Sequence, residues 1–402
     1  MKPSRIADRV RRIKPSPSSA AADRANELRR QGKSIVNLVV GEPDFDTPPH
    51  IRQAAAEAIE KGATRYTALA GTLELRQAIA AKLKRENGLT YEPAEIIVTN
   101  GAKSAIFAAL AATTEPGDEV IIPAPYWVSY TDMALACEGV PVTIACPESN
   151  GFKLTPAQLA SAITPRTRWL MLNSPSNPTG ATYSAAEYAA LADVLAAHPH
   201  VMVMTDDIYE HICFDGGTAP HLLAVASGLR ERTLAINGVS KTYAMTGWRI
   251  GWVAGPRDLI QALDTLLSQS AGNACSVSQA AATAALTGDQ SFVAQSVAIY
   301  QQRRDAMAQR LNAIPGLSCA IPEGAFYLYV NCSGIIGKST PSGKRLDVDG
   351  DVVMYLLDHA GVALVAGSAY GLSPYLRLSI ATSLDTLNDG ADRIARAVSD
   401  LT

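Results

Sequence analysis

Arg168-Trp-Leu-Met-Leu-Asn173-Ser-Pro-Ser-Asn177-Pro-Thr-Gly180, then Ser184-Ala-Ala-Glu187, then Val201-Met-Val-Met-Thr-Asp206: this stretch decides the fold. Arg168–Leu172 and Val201–Thr205 are short apolar runs of strand length, rich in residues that fit a pleated sheet. Between them Ser184 stands at an N-cap with Glu187 three residues on, a capping box that opens an Ala- and Leu-rich helix. The same alternation continues on both sides, with strand candidates at Ile96–Thr99, Val120–Pro123, Leu234–Asn237 and Ile250–Ala254. Thr155-Pro156-Ala-Gln158 opens a further helix, with Thr at the cap and Pro in the first turn. Strands alternating with helices predict an α/β fold around a largely parallel sheet flanked by helices.

The pattern changes beyond residue 288. Asp289–Asn312 reads as one long connector helix without Gly or Pro, followed by short strands at Phe326–Val330 and Leu376–Ile380 and two helices. That combination suits a smaller α+β domain. At the other end, no sheet-like run precedes Ile35–Val40, and Lys14–Ala22 is a short Ser/Pro/Ala stretch. The predicted division is therefore an N-terminal arm and part of the small domain over 1–48, a large ligand-binding domain over 49–290, and a connector helix with the small domain over 291–402.

Composition narrows the function. At 48% hydrophobic and 18% charged residues the chain is globular, which sets disorder aside. A formal charge of −3 offers no basic excess to hold nucleic acid or an anionic membrane, so small-molecule chemistry leads. No two of the six cysteines form C-x-x-C and no His cluster accompanies them, which argues against a metal site and for free, buried thiols in a reducing compartment. Ala105–Ala112 is too short an apolar run to span a bilayer, and the charged N-terminus lacks the apolar segment of a secretory signal. A cytoplasmic protein is expected.

The unusual polar residues fall at strand ends. Asn177 follows the Arg168–Leu172 strand, Asp206 closes Val201–Thr205 with Tyr209 three residues later, and Lys241 follows Leu234–Asn237. Open α/β sheets bind ligands at that edge. Any one of these residues alone reads as a helix cap or a solvated side chain; together they set an amine, a carboxylate, a phenol and an amide around one crevice. A lysine in a dry pocket attacks carbonyls, and a buried carboxylate keeps a pyridine nitrogen protonated so that the ring accepts electrons. Arg249 can supply a bidentate guanidinium for a phosphate. Thr99-Asn-Gly101-Ala102-Lys103-Ser104 precedes the helix Ala105–Ala112, so its amides form an anion cradle. These requirements match pyridoxal phosphate better than a nucleotide.

Gly238-Val-Ser240-Lys241-Thr-Tyr-Ala-Met-Thr-Gly-Trp-Arg249-Ile-Gly251 resembles the lysine signature of class I pyridoxal-phosphate aminotransferases, the fold type I group. The resemblance runs through Gly41-Glu-Pro-Asp-Phe-Asp-Thr-Pro48, Arg65-Tyr66-Thr67, Pro125-Tyr-Trp127-Val-Ser-Tyr130, Ser174-Pro-Ser-Asn177-Pro-Thr-Gly180, Asp206-Asp-Ile-Tyr209-Glu and Arg377-Leu-Ser379. It covers nearly the whole chain, and bacterial aspartate aminotransferases, including the branch that accepts prephenate, are the most similar. The resemblance implies that Lys241 carries the cofactor and moves the proton, that Asp206 pairs with the ring nitrogen, and that Tyr209 and Asn177 bind the ring oxygen. It further implies that Trp127 stacks on the ring, and that Arg249, Ser240 and the Gly101, Ala102 and Lys103 amides hold phosphate. Tyr66 would join them from the other subunit of a homodimer, while Arg377, Gly41, Trp127 and Asn177 would bind the substrate α-carboxylate.

Three departures bear on specificity. Residues 258–302 contain neither Arg nor Lys, so the distal-carboxylate arginine of other branches is missing. In the bacterial branch Lys103 and the Lys14-Pro15-Ser16 segment take that place, although Pro17-Ser18 stands where relatives show Ala-Thr, and Ser270–Cys275 also departs from their usual pattern. The predicted activity is amino-group transfer, with aspartate or glutamate and 2-oxoglutarate or oxaloacetate favoured. An aromatic or prephenate aminotransferase, or a β-eliminating lyase on the same fold, are the alternatives. A regulator is disfavoured, since no helix-turn-helix precedes Gly41.

Overall fold

The computed structural model of the chain describes residues 5–15 and 17–402; Met1–Ser4 and Ser16, included in the readings of the N-terminus and of the Lys14 segment, lie outside the described residues. Its centre is a seven-stranded sheet. In spatial order the strands are Ile96–Thr99, Gly251–Ala254, Thr233–Gly238, Met202–Asp206, Thr167–Asn173, Glu119–Ala124 and Val140–Ala145. Gly251–Ala254 pairs antiparallel with both neighbours, and all other pairings between Thr233–Gly238 and Val140–Ala145 are parallel. The α/β expectation holds.

Alternation along each strand builds two cores. Ile97, Val120, Ile122, Trp169, Met171, Met204, Ile236 and Val253 fill one face. Ile96, Val98, Ile121, Leu170, Leu172, Val203, Ala235 and Trp252 fill the other. Both faces are covered by helices, which is why these strands read as continuous apolar runs rather than alternating ones. The capping boxes at Thr155/Gln158 and Ser184/Glu187 form, opening the helices Pro156–Ala162 and Ala185–Ala196.

Several boundaries differ from expectation. The helix read as Ala105–Ala112 is Ala102–Thr113, with Gly101 as its N-cap at φ +88°, so Lys103 lies inside the first turn. Val140–Ala145 is an additional edge strand; exposed on one side and bearing Pro141, it lacks a buried strand's apolar signature. The Ser/Pro/Ala stretch opens a helix, Pro17–Arg30, with Pro at its first position where a missing N–H costs nothing. Only Val36–Asn37 of the Ile35–Val40 run forms a strand, paired parallel with Val362–Ala363.

A second, antiparallel sheet joins Val365–Ala366, Tyr375–Ser379, Tyr327–Asn331 and Ser318–Cys319. The helices Ser291–Asn312 and Leu384–Ser399 close over it, burying Tyr300, Met307, Leu311, Leu387 and Ile394. Val36 and Leu38 share that core, and so do Ile208, Tyr209, Ile212 and Phe214 from the end of the large sheet.

Candidate active site

Strand register sets the site. Asn173 pairs with Asp206 and Asp206 with Ile236, while Thr99 pairs with Gly251 and Gly251 with Gly238. One edge of the sheet therefore presents Asn177, Asp206, Lys241, the Gly101 cap and Arg249 together. A cavity of about 740 Å³ opens there, lined by Gly41, Ala102, Lys103, Trp127, Asn177, Asp206, Tyr209, Ser240, Lys241, Arg249 and Arg377 among others.

Asp206 is 6% exposed. Its Oδ2 accepts a 2.6 Å hydrogen bond from the Tyr130 hydroxyl, and its Oδ1 is buried without a partner. Burial pushes this carboxyl up to about 6, against the pull of Tyr130. An orphaned carboxylate oxygen facing a cavity calls for a donor from a ligand. Lys241 donates to the Gly41 carbonyl at 2.6 Å. Burial, opposed by Glu42 and aided by Arg249 and Arg377, lowers its ammonium to about 8, within reach of the free amine. The Tyr209 hydroxyl shares a 2.9 Å hydrogen bond with that of Tyr327.

The anion cradle is built by close approach. Arg249 adopts a left-handed backbone at φ +57°, a conformation a non-glycine residue holds only when its surroundings fix it. Its guanidinium donates to the Thr246 and Asn100 carbonyls at 3.0 and 3.2 Å. A Cβ on Gly101 would lie 2.5 Å from that guanidinium, and one on Gly251 would lie 2.4 Å from the Ala102 nitrogen. The helix start and the guanidinium can converge only because both positions are glycine. Helix-start amides without intrahelical acceptors beside an arginine make a phosphate site.

Arg377 is 2% exposed and lies 4.5 Å above the Tyr327 ring. It donates to the Val39 carbonyl and, at 3.3 Å, to Asn177 Oδ1, while its Nε is buried without a partner. That geometry leaves it able to receive a carboxylate. Lys103 holds its ammonium 4.8 Å over the Trp127 ring, and burial together with Arg249 lowers its pKa.

Three residues named from the sequence lie elsewhere. Gly101 caps the helix beside the cavity without lining it, and its own amide donates to the Thr99 carbonyl at 2.7 Å rather than facing the cradle. Tyr66 is 96% exposed and does not reach the cavity of its own chain. Lys14 is exposed, its backbone N–H bonded to Asp132 at 3.1 Å, so the cavity forms without it. Conversely, Tyr130, Asn173 and Tyr327 were missed. Asn173 donates to the Asp206 carbonyl at 2.7 Å and accepts from the Asn177 amide at 2.8 Å, locking two strand ends together. Only its place at the end of an apolar run could have signalled it. The expectation of buried thiols needs amendment, because all six cysteines are free but Cys275 is exposed.

A lysine poised near its free-base form, an unpaired carboxylate oxygen, a phenol and a phosphate cradle define the site of a pyridoxal-phosphate enzyme, and the residues present fit that group. Residues 33–394 match the aminotransferase class I and II family. The chain is 54% identical over 391 residues to an aspartate aminotransferase of Rhizobium meliloti, covering 97% of this chain and 95% of that one. It is 50% identical over 389 residues to an aspartate/prephenate aminotransferase of Cereibacter sphaeroides, covering 97% of each. Its fold matches the crystal structure of an aspartate aminotransferase from Rhizobium meliloti with a TM-score of 0.97 at 52% identity, covering all of both chains. It matches a Thermus thermophilus aspartate aminotransferase with maleate with a TM-score of 0.92 at 40% identity, covering 98% of this chain and 100% of that one. The chain belongs to the aminotransferase class I and II family and is a pyridoxal-phosphate-dependent aminotransferase.

Proposed function

We propose that the physiological exchange is between aspartate or glutamate and the oxo acids 2-oxoglutarate and oxaloacetate. The observation that carries this reading is the distribution of cations in the cavity. Arg249 belongs to the phosphate cradle, Lys241 to the cofactor and Arg377 to the α-carboxylate, and Arg29 at the cavity wall donates its guanidinium to the Ile35 carbonyl at 3.2 and 2.9 Å, which leaves Lys103 for a second carboxylate. The relatives agree, since aspartate, prephenate and maleate, after which they are named or with which they are described, each carry two carboxylates.

Bound in this cradle, pyridoxal phosphate supplies an aldehyde for the amine to condense with and a ring that accepts the electron pair released at the α-carbon. Asp206 Oδ1 would hold a proton on the ring nitrogen, with Tyr130 fixing the carboxylate from behind. Tyr209 and Asn177 would bond the ring oxygen, Trp127 would cover the ring face, and Ser240 with the Ala102 and Lys103 amides would hold the phosphate. Lys241 would carry the proton from the α-carbon on its Nζ. Arg377, with Asn177 and the Gly41 backbone, would orient the α-carboxylate so that the breaking C–H bond faces Lys241. A screen that adds single amino acids to the cofactor-loaded protein and follows its visible absorbance tests the assignment. Aspartate and glutamate should react fastest; a faster response to phenylalanine or alanine would overturn it.

Lys103→Ala should raise the KM for aspartate about tenfold or more while leaving that for alanine nearly unchanged, because a desolvated charged hydrogen bond contributes roughly 1.5–3 kcal/mol. Equal effects on both would remove Lys103 from the substrate site. As a point charge without a fork, lysine should tolerate an aromatic or prephenate-type partner at reduced rate. Lys14 would contribute only if the arm that carries it closed over the cavity.

The same reading takes the chain as a cytoplasmic homodimer, its small domain built from 291–402 with part of 1–48 around a large domain over 49–290. The free cysteines support the compartment, and no helix among the described residues is long and apolar enough to cross a membrane. Tyr66 at 96% exposed and Phe107 at 45% support the interface. Mixing an inactive Tyr66→Ala dimer with a Lys241→Ala dimer should restore activity, since each hybrid holds one intact site. A fully active monomer in sedimentation would end this part of the proposal.

A further inference from the structure

Beside Tyr209 lies a partly buried polar cluster that the reaction as described does not use. Glu210, directly after Tyr209, accepts from Lys82 Nζ, from Asn87 at 2.9 Å and from Asn237. Burial pushes its carboxyl up, but the Lys82 charge, His211 and these hydrogen bonds outweigh that and hold it at about 2. Asn237 accepts in turn from the Gly238 amide at 2.7 Å. His211 bonds Thr242 Oγ1 through Nδ1 at 3.1 Å and Glu86 through Nε2 at 2.9 Å.

Glu86, Glu210 and His211 place three ligand atoms within 4.8 Å of one another, which by itself resembles a metal site. The cation position is already filled by the chain. Lys82, 1% exposed, is paired with Glu210 and lies 3.5 Å from Glu86 Oε2. The cluster is a closed ion-pair network instead.

Its placement is what matters. Asn237 precedes Lys241 by four residues and Thr242 follows it by one, so Glu210 and His211 hold the lysine loop on both sides. The same two residues continue the turn that carries Asp206 and Tyr209. The Lys241 amine bonds the Gly41 carbonyl, which lies 200 residues away in sequence and on neither loop, so its distance to Tyr209 also depends on how the two loops are joined. We propose that Lys82, Glu210 and His211 form a positioning network that fixes Lys241 against Tyr209. This rests on the reading of Lys241 and Tyr209 as cofactor residues.

The test uses the cofactor-loaded protein. His211→Ala removes the Thr242 link at a side chain that is 23% exposed, so the fold tolerates it. Turnover should fall roughly tenfold, since small misplacements of a reacting group are costly. KM for aspartate should stay within about twofold, because Arg377 and Lys103 are untouched. The pH midpoint of the bound cofactor's visible band should shift, reporting the altered setting of the lysine. His211→Asn, whose amide lies where Nδ1 does and can still bond Thr242, should recover most of the rate. Lys82→Met strands a buried carboxylate and should fold poorly, whereas Lys82→Met with Glu210→Gln should fold but keep the reduced turnover. An unchanged turnover and band in His211→Ala overturns the proposal. So does a loss of turnover, KM and thermal stability in step, which marks a structural role alone. Failure of the unmutated protein to react with amino acids would instead overturn the substrate assignment.

Discussion

Replacing Lys241 by Ala should lower turnover by about four orders of magnitude, because under the proposed assignment one substitution removes both the cofactor's covalent partner and the group that moves the α-proton. Phosphate and ring contacts stay, so pyridoxal phosphate should still bind and its absorbance should resemble that of the free aldehyde. A second signature appears without cofactor. Lys241 is lowered to about 8 in the folded protein from an ordinary 10.5. Between those values the unfolded chain binds more protons, so the stability of the cofactor-free protein rises with pH across that window. Lys241→Ala should lack that rise in chemical-denaturation curves. Near-normal transamination by the variant would dismiss Lys241 from its role.

Asp206→Asn should slow α-proton removal by roughly two to three orders of magnitude, the scale on which a single preorganised charge contributes to a developing charge. A neutral amide cannot hold the ring nitrogen protonated, while phosphate binding is left intact, so the rate should suffer far more than cofactor affinity. Here the linkage runs in the opposite direction. The Asp206 carboxyl is raised to about 6 from 3.8, chiefly by burial. The folded protein then binds more protons between those values, and its stability falls as pH rises through them. That decline should vanish in cofactor-free Asp206→Asn. Stopped-flow mixing with aspartate measures the rate; an unchanged half-reaction would exclude the assignment.

Much of this site was legible because its residues interrupt strong patterns. Asp206 ends an apolar run, Lys241 follows another, and Arg249 sits in a glycine-punctuated segment between two strands. Each of those signals is local. Tyr130, by contrast, meets Asp206 across 76 residues, and Tyr327 meets Tyr209 across 118. No spacing rule relates such pairs, since only the crossovers of the sheet bring them together. Lys82 was unreadable for another reason: on the helix Leu73–Asn87 it looks like any solvated lysine until the helix is docked against Glu210. The edge strand Val140–Ala145 escaped because half its residues face solvent. The arm around Lys14 shows the converse case, a residue singled out by motif that the fold holds at the surface against Asp132.

The turn after Asp206 has one further consequence. Ile208, Tyr209, Ile212 and Phe214 are buried in the core of the small sheet, yet Glu210 between them is anchored to the helix Leu73–Asn87 beside the large one. Neighbouring side chains thus serve two different interiors. The chain has no seam there: a fragment cut at the connector helix would leave an aromatic stretch bare on one piece and a hollow in the other. Grafting the small sheet of a relative onto this large sheet would have to carry residues 208–214 along with it, although they lie some eighty residues upstream of the obvious joint.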